Sequence, residues 1–209
     1  MRTPFYIAQH DSKPRGPIGL LAALAGARRT RTDNLTALHM LRLCPSDHFL
    51  DIGTGYGLAP RMAARQISAG NVVGIDHAST ALGLARLLAF FSKGKSSCFL
   101  RANSSNLPFA PATFTCAMAM HTLYFWSCPI IHFREAHRIL VPGGRFLVGF
   151  HPPPPTGDTH PFPTTVYQLR SETEVRTALS FAGFRDITTM VREATKAPPT
   201  IFLLARVPG

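Results

Sequence analysis

Acidic residues are scarce in this chain. Its 209 residues include 11 Asp and Glu against 22 Lys and Arg, a net charge of +11. That balance excludes an acidic, self-repelling chain and admits negatively charged partners: nucleic acid, anionic membranes or acidic substrates. The cations do not gather, however. Only Arg28, Arg29 and Arg31 cluster, and no RNA-binding signature with interleaved aromatics occurs. Dedicated nucleic-acid binding is therefore disfavoured. Long apolar runs are missing too. The best, Ile18 to Ala27, stops at Arg28 and Arg29, short of the roughly 18 residues a membrane span needs. The N-terminus carries Pro4, Gln9, His10, Asp11 and Lys13, so no secretory leader is visible. The four cysteines, Cys44, Cys98, Cys116 and Cys128, form no CxxC or zinc-type pattern. No metal site is expected, and reduced thiols in a cytoplasmic protein are the expectation.

What is present is an ordinary globular interior. Hydrophobic residues make up 45% of the chain, enough for one domain with a sizeable core. Residues 1–32 mix Pro, Gly and Arg. Thr32 or Asp33 is placed to cap a helix over Leu35 to Leu43. His48 to Ile52 reads as a strand, Leu58 to Ile67 as a helix and Val72 to Ile75 as a strand ending at Asp76. Ser79 opens a helix through Phe91. Strands follow at Cys98 to Leu100 and at Phe114 to Met120, the latter apolar on both faces as a central parallel strand is. Pro129 to Leu140 reads as a helix, Pro142-Gly143-Gly144 as a turn and Arg145 to Phe150 as a strand. The Pro-rich stretch Pro152 to Pro163 is a loop. Ser171 and Glu174 match a capping box, and Gly183 stops the helix that follows. Two further strands, around Ile187 to Val191 and Ile201 to Val207, close the chain. Strand and helix alternate from residue 48, which predicts an α/β fold with a mostly parallel sheet of seven strands and helices on both faces. Ligands of such sheets bind outside the carboxyl ends of the strands.

The most informative segment is Asp51-Ile52-Gly53-Thr54-Gly55-Tyr56-Gly57. Three alternating glycines follow a strand and precede a helix, where a ligand can touch backbone without a Cβ in the way. Nineteen residues on, at the end of the next strand, Asp76 offers a carboxylate that can accept from ribose hydroxyls. The dinucleotide pattern GxGxxG needs glycine at Leu58, so a nicotinamide cofactor fits poorly. Gly94-Lys95-Ser96 lacks the upstream glycine of a phosphate loop and lies between helix and strand, the wrong context. A purely structural turn is the blander account of the glycines, and the strand context with Asp76 counts against it.

Asp51 to Gly57 resembles motif I of the class I S-adenosylmethionine-dependent methyltransferases, and Asp76 matches the acid that holds the cofactor ribose there. Asn106-Leu107-Pro108-Phe109 with Phe114 to Met120 is similar to the family's loop and fourth strand. Glu135 to Arg145, with Ala136-His137-Arg138-Ile139-Leu140-Val141-Pro142-Gly143-Gly144 between, is close to its helix-turn-strand segment. Thr122 to Trp126 is similar to a subgroup of small bacterial methyltransferases with small-molecule substrates. The likeness covers about residues 35–207. Two positions depart from it: Asn103 stands where the family has an Asp for the adenine amino group, and Thr115 where an Asp commonly follows the Phe of the fourth strand.

The resemblance implies a Rossmann-like sheet with an antiparallel last strand, S-adenosylmethionine as cofactor and methyl transfer to a small-molecule acceptor. It implies that Gly53, Gly55 and Gly57 pack against methionine and ribose, that Asp51 orients the loop and amino group, and that Asp76 takes the ribose hydroxyls. His77, Asn103 and Ser104 fall beside the adenine. His121, at the end of the fourth strand, is a candidate proton acceptor, against a mere positioning role. Tyr124 is a candidate wall of the acceptor site, against core packing. His151, Asp158 and His160 belong to the Pro-rich loop, which either borders the acceptor or is simply solvated. His132 and His137 are expected on the surface. Residues 1–32, with Phe5, Tyr6 and Gln9, form a lid or a tail before a domain over 33–209. An RNA methyltransferase and a non-catalytic binding protein are the alternatives.

Overall fold

A computed structural model describes residues 30–92, 96–154, 167–194 and 198–209. Phe5, Tyr6, Gln9, Asp158 and His160 lie outside them. Seven strands form one sheet: β1 (His48–Ile52), β2 (Asn71–Asp76), β3 (Cys98–Arg101), β4 (Phe114–Met120), β5 (Leu140–Phe150), β6 (Arg185–Arg192) and β7 (Thr200–Arg206). Their order is β3-β2-β1-β4-β5-β7-β6. β1 to β5 pair in parallel, and β7 runs antiparallel between β5 and β6. The helices are α1 (residues 30–41), α2 (Leu58–Ala63), α3 (Ser79–Phe90), α4 (Pro129–Ile139) and α5 (Glu172–Phe181), with a 3-10 turn at Leu123–Phe125. No helix among the described residues is long and apolar enough to cross a membrane.

The period-2 alternation of the central strands sorts side chains into two cores. From β4, Ala117 and Ala119 enter the core beneath α4 and α5, with Phe133, Val175 and Leu179, and a register irregularity between Phe114 and Cys116 puts Phe114 in the same core. Cys116, Met118 and Met120 enter the opposite core beneath α1 and α2, with Leu38, Leu41, Ala59 and Ala63. Phe146 stacks on Phe184 at 5.2 Å and meets Phe133 edge-on at 5.9 Å. Each fully buried Phe of this set contributes about 1.5–3 kcal/mol.

The capping box forms: Ser171 Oγ accepts the Glu174 N–H, and Glu174 Oε2 accepts the Ser171 N–H at 2.7 Å. Other boundaries differ from the sequence reading. Residues 30–41 are helical throughout, so Thr32 and Asp33 lie inside α1 and do not cap it. α2 stops at Ala63 and turns carry the chain through 66. Pro142-Gly143-Gly144 does not separate helix from strand; it lies inside β5. There Gly143 adopts φ +73° and donates to the Val207 carbonyl at 3.0 Å, while the Val207 N–H returns to Gly144 at 2.9 Å. His132 and His137 are half-buried rather than surface residues. His132 stacks on Trp126 at 4.4 Å and His137 sits on Phe184 at 5.2 Å.

Thr115 has its own answer. Its hydroxyl donates to Asp47 Oδ1 at 2.6 Å, beside the Arg145 guanidinium on the same oxygen at 2.6 Å and the Cys44 N–H on Oδ2 at 2.7 Å. Burial works to raise the Asp47 carboxyl, and these donors overcome it and hold it below the usual range.

Candidate active site

The glycine turn lies where β1 and β4, neighbours in the sheet, deliver their carboxyl ends. It is pinned to β2: the Gly53 and Thr54 N–H groups both donate to the Ile75 carbonyl, at 2.9 and 2.8 Å. Gly57 has φ +67°, and a Cβ there would lie 2.6 Å from the Phe99 ring, so packing and backbone both demand glycine. Gly55 differs. It has φ +52°, yet a Cβ would meet nothing within 4 Å. Its bare face borders open space, as a backbone approached by a ligand does. A Cβ on Gly53 would strike the Thr122 side chain, and the Thr122 hydroxyl donates to the Ile52 carbonyl at 3.2 Å. Thr122 thereby locks the end of β4 against the turn.

Asp76 is oriented by two backbone donors. Oδ2 takes the Gly55 N–H at 2.8 Å and Oδ1 the Ala78 N–H at 2.9 Å. Each carboxylate oxygen keeps a free lone pair, the number needed for two ribose hydroxyls. His77 is exposed and lies 3.5 Å from Asp76 Oδ1. Asp51 is buried, and burial pushes its carboxyl up to about 7, with the Asp76 charge adding to the effect. The Thr54 hydroxyl beside it works against the rise. Its Oγ1 is buried without a hydrogen-bond partner, seated in the space Gly74 leaves open.

The segment after β3 is partly committed to itself. Asn103 Oδ1 accepts the Ser105 N–H at 3.0 Å. The Ser104 hydroxyl is hydrogen-bonded at 2.8 Å to Nδ1 of His132, which burial pushes down to about 4 and so keeps neutral. Glu135 and Arg138 clamp the same segment: Glu135 accepts the Leu107 N–H at 2.7 Å, and Arg138 donates to the Phe109 and Leu107 carbonyls at 2.8 and 3.0 Å.

On the other side of the turn stands His121, at φ +54°. Its N–H donates to the Gly149 carbonyl at 2.8 Å. Both ring nitrogens are engaged, Nε2 with Asp33 at 2.9 Å and Nδ1 with the Tyr124 hydroxyl at 3.2 Å. Tyr124 is buried and accepts the His151 N–H at 2.6 Å. Burial pushes its phenol up, despite that bond. Tyr167 packs on Tyr124 at 5.4 Å, and Arg170 ties this wall by donating to the Trp126 carbonyl at 2.7 Å. Sequence reasoning missed Thr122, and also Asp33, Arg192 and Thr200, which meet beside His121 from distant parts of the chain. Among the described residues, no group of three or more His, Cys, Asp or Glu could hold a metal ion.

Comparison with known proteins agrees with this geometry. Residues 50–148 match a methyltransferase domain family. A demethylmenaquinone methyltransferase of Thermus thermophilus is 34% identical over 111 residues, 52% of this chain and 49% of that protein. The chain thus spans about half the length of this relative. Among solved structures, an S-adenosylmethionine-dependent methyltransferase from Aquifex aeolicus superposes with a TM-score of 0.70 at 21% identity, over 84% of this chain and 89% of that one. A Haemonchus contortus phosphoethanolamine N-methyltransferase in complex with S-adenosyl-L-methionine gives 0.74 at 17% identity, over 85% of this chain and 53% of that one. The match to the methyltransferase domain family takes in just under half of the chain, and the sheet order and overall fold are those of the solved methyltransferases. One of these neighbours was solved with S-adenosyl-L-methionine bound. The residues present fit that group: an oriented Asp76 carboxylate, a bare Gly55 backbone and an orphaned buried hydroxyl on Thr54.

Proposed function

We propose that this protein transfers the methyl group of S-adenosylmethionine to a small-molecule acceptor. The observation that carries the reading is the pairing of Asp76 with Gly55: a carboxylate fixed by the backbone of a turn whose middle glycine faces open space. Asp76 takes the ribose hydroxyls, and Gly53, Gly55 and Gly57 form the floor beneath ribose and methionine. Asp51, almost fully buried, offers its charge to the amino group. His77 lies beside the adenine. Asn103 and Ser104 shape its edge by holding their own turn and the Trp126–His132 stack.

Bound S-adenosylmethionine supplies a methyl group already made electrophilic by its sulfonium, so no covalent nucleophile is asked of the protein. Its task is to orient the acceptor and keep water out, an effect on the order of 7–11 kcal/mol when geometry is well held. His121 and Tyr124 form the acceptor-side wall, closed by Tyr167 and Arg170. The name of the Thermus relative, whose acceptor is a small molecule, supports this reading.

Thermal unfolding with S-adenosylmethionine and S-adenosylhomocysteine tests it. Both ligands should raise Tm in the wild type, by an amount growing with RT ln(1 + [L]/Kd). Asp76→Ala should lose most of that rise. A wild type indifferent to either ligand at millimolar concentration ends the proposal.

A further inference from the structure

α3 departs from the usual surface helix, which turns a polar face to water. Its inner side is ordinary: Leu82 and Ala85 pack against Phe99 of β3. At helical spacing on the opposite side stand Gly83, Leu84, Leu87 and Phe90, with Phe91 just past the end, and none of them is charged. Leu87 is 55% exposed, Phe90 83% and Phe91 76%. The two Phe rings meet edge-on at 5.2 Å. A helix apolar all round belongs in an interior, yet α3 covers β2 and the edge strand β3, and these three side chains face solvent. The surroundings carry one sign of charge. Between Asp76 and Glu135 the sequence has no Asp or Glu, against Arg86, Lys93, Lys95, Arg101 and Arg134. Arg86 on α3 and Arg101 at the end of β3 are exposed, and each is anchored to backbone: Arg86 donates to the Phe99 carbonyl at 2.7 Å and Arg101 to the His77 carbonyl at 3.1 Å.

We propose that the outer face of α3 rests on an anionic lipid surface. Leu87, Phe90 and Phe91 enter the boundary between headgroups and acyl chains, and Arg86 and Arg101 meet the lipid phosphates and carboxylates. Phe and Leu beside Arg, with no acid near in the sequence, is the composition of a helix that lies in such an interface. Each cation close to an anionic leaflet adds an attraction that salt screens. The protein lies on the membrane and does not cross it, since α3 has 12 residues, too few to span a bilayer. A second copy of the chain is a poorer occupant. Three side chains of this size offer on the order of 400 Å², about half of what each partner gives to a stable dimer, and a copy sets +11 against +11. Single-stranded nucleic acid is poorer too. Bases stack on ring faces; Leu87 has none, and the edge-on Phe pair covers one of its own.

The test sediments the full chain with sucrose-loaded vesicles, made of phosphatidylcholine alone or mixed with phosphatidylserine. At low salt the wild type should bind the mixed vesicles at least about tenfold better than the neutral ones, and high salt should erase the preference. Phe90→Ser combined with Phe91→Ser should keep the wild-type Tm, both rings being exposed, and should weaken binding to the mixed vesicles by about tenfold or more. Phe91→Trp gives a second readout should the double variant fail to fold. Its emission should shift to the blue on mixed vesicles and be quenched by brominated acyl chains, while the wild type, whose single Trp126 is buried, shows neither change. A wild type that ignores the mixed vesicles overturns the proposal, as does equal binding to neutral ones. Binding that survives in the double variant would show that net charge alone attracts the chain to lipid, and overturns it too. Self-association or RNA binding that the double variant abolishes, in a chain indifferent to vesicles, gives the face to a second copy or to nucleic acid instead.

Discussion

Asp51 stands at the end of β1 with nowhere to place a charge. Burial lifts its carboxyl from 3.8 to about 7, and the Asp76 charge pushes the same way. Below about pH 4 the group is protonated in both folded and unfolded chains and has no effect on stability. Between about pH 4 and 7 the unfolded chain ionises it while the folded chain resists, so stability falls as pH rises, by up to roughly 4 kcal/mol. Asp51→Asn removes the titration. Urea unfolding between pH 5 and 8 should show the variant losing less stability than the wild type, and being the more stable of the two at pH 8. Parallel pH profiles for the two proteins would refute this. Affinity for S-adenosylmethionine should move the other way, because the variant loses the anion that the bound cation would meet.

At the scale of elements, α4 does more than cover the sheet. Glu135 and Arg138 reach from its last turns to the segment after β3 and fasten Leu107 and Phe109 through backbone groups on both sides. Arg138→Ala strands the Phe109 carbonyl, takes from the Leu107 carbonyl one of its two donors and leaves Glu135 without its partner, a loss of about 2 kcal/mol. Hydrogen exchange should then quicken at the Leu107 amide and leave β1 and β4 unchanged; uniform quickening would mean that the clamp is only part of global stability. The segment Glu135 to Arg145 was legible in the sequence because its parts are neighbours there: helix, glycines and strand act through local geometry. So were the strands, since alternation along β4 needs no knowledge of what covers either face. Boundaries were less legible. Asp33 lies inside α1 and not at its cap because its carboxylate is taken up by tertiary bonds, and β5 absorbs Pro142 to Gly144 because Val207 pairs with that turn. His132 read as a surface residue because nothing local shows that Trp126 will lie flat upon it.

The whole molecule closes through one bond that no spacing rule could find. Asp33 and Arg192 are 159 residues apart and join the first described helix to the edge strand β6. Through Thr200 and His121 the same carboxylate also touches β7 and the end of β4. The acceptor-side wall is thus assembled from four separate stretches, whereas the cofactor side comes from three consecutive strand-turn units, after β1, β2 and β3. This is why Asp51 to Gly57 and Asp76 could be picked out of the sequence and Asp33 could not. It also gives the two halves of the site different sensitivities. Arg192→Met leaves Asp33 buried with His121 and Thr200 alone, and should lower stability by about 3 kcal/mol at pH 7. The pH dependence separates this from lost packing. Asp33 is held below its ordinary value, so its ionic contribution is complete above about pH 4 and vanishes as pH falls through the lower, folded-state value. Wild type and Arg192→Met should therefore converge in stability on acidification below pH 4, as measured by urea unfolding, while S-adenosylhomocysteine affinity at pH 7 stays within about twofold. A gap that persists unchanged at low pH would show that Arg192 serves only as bulk against α1.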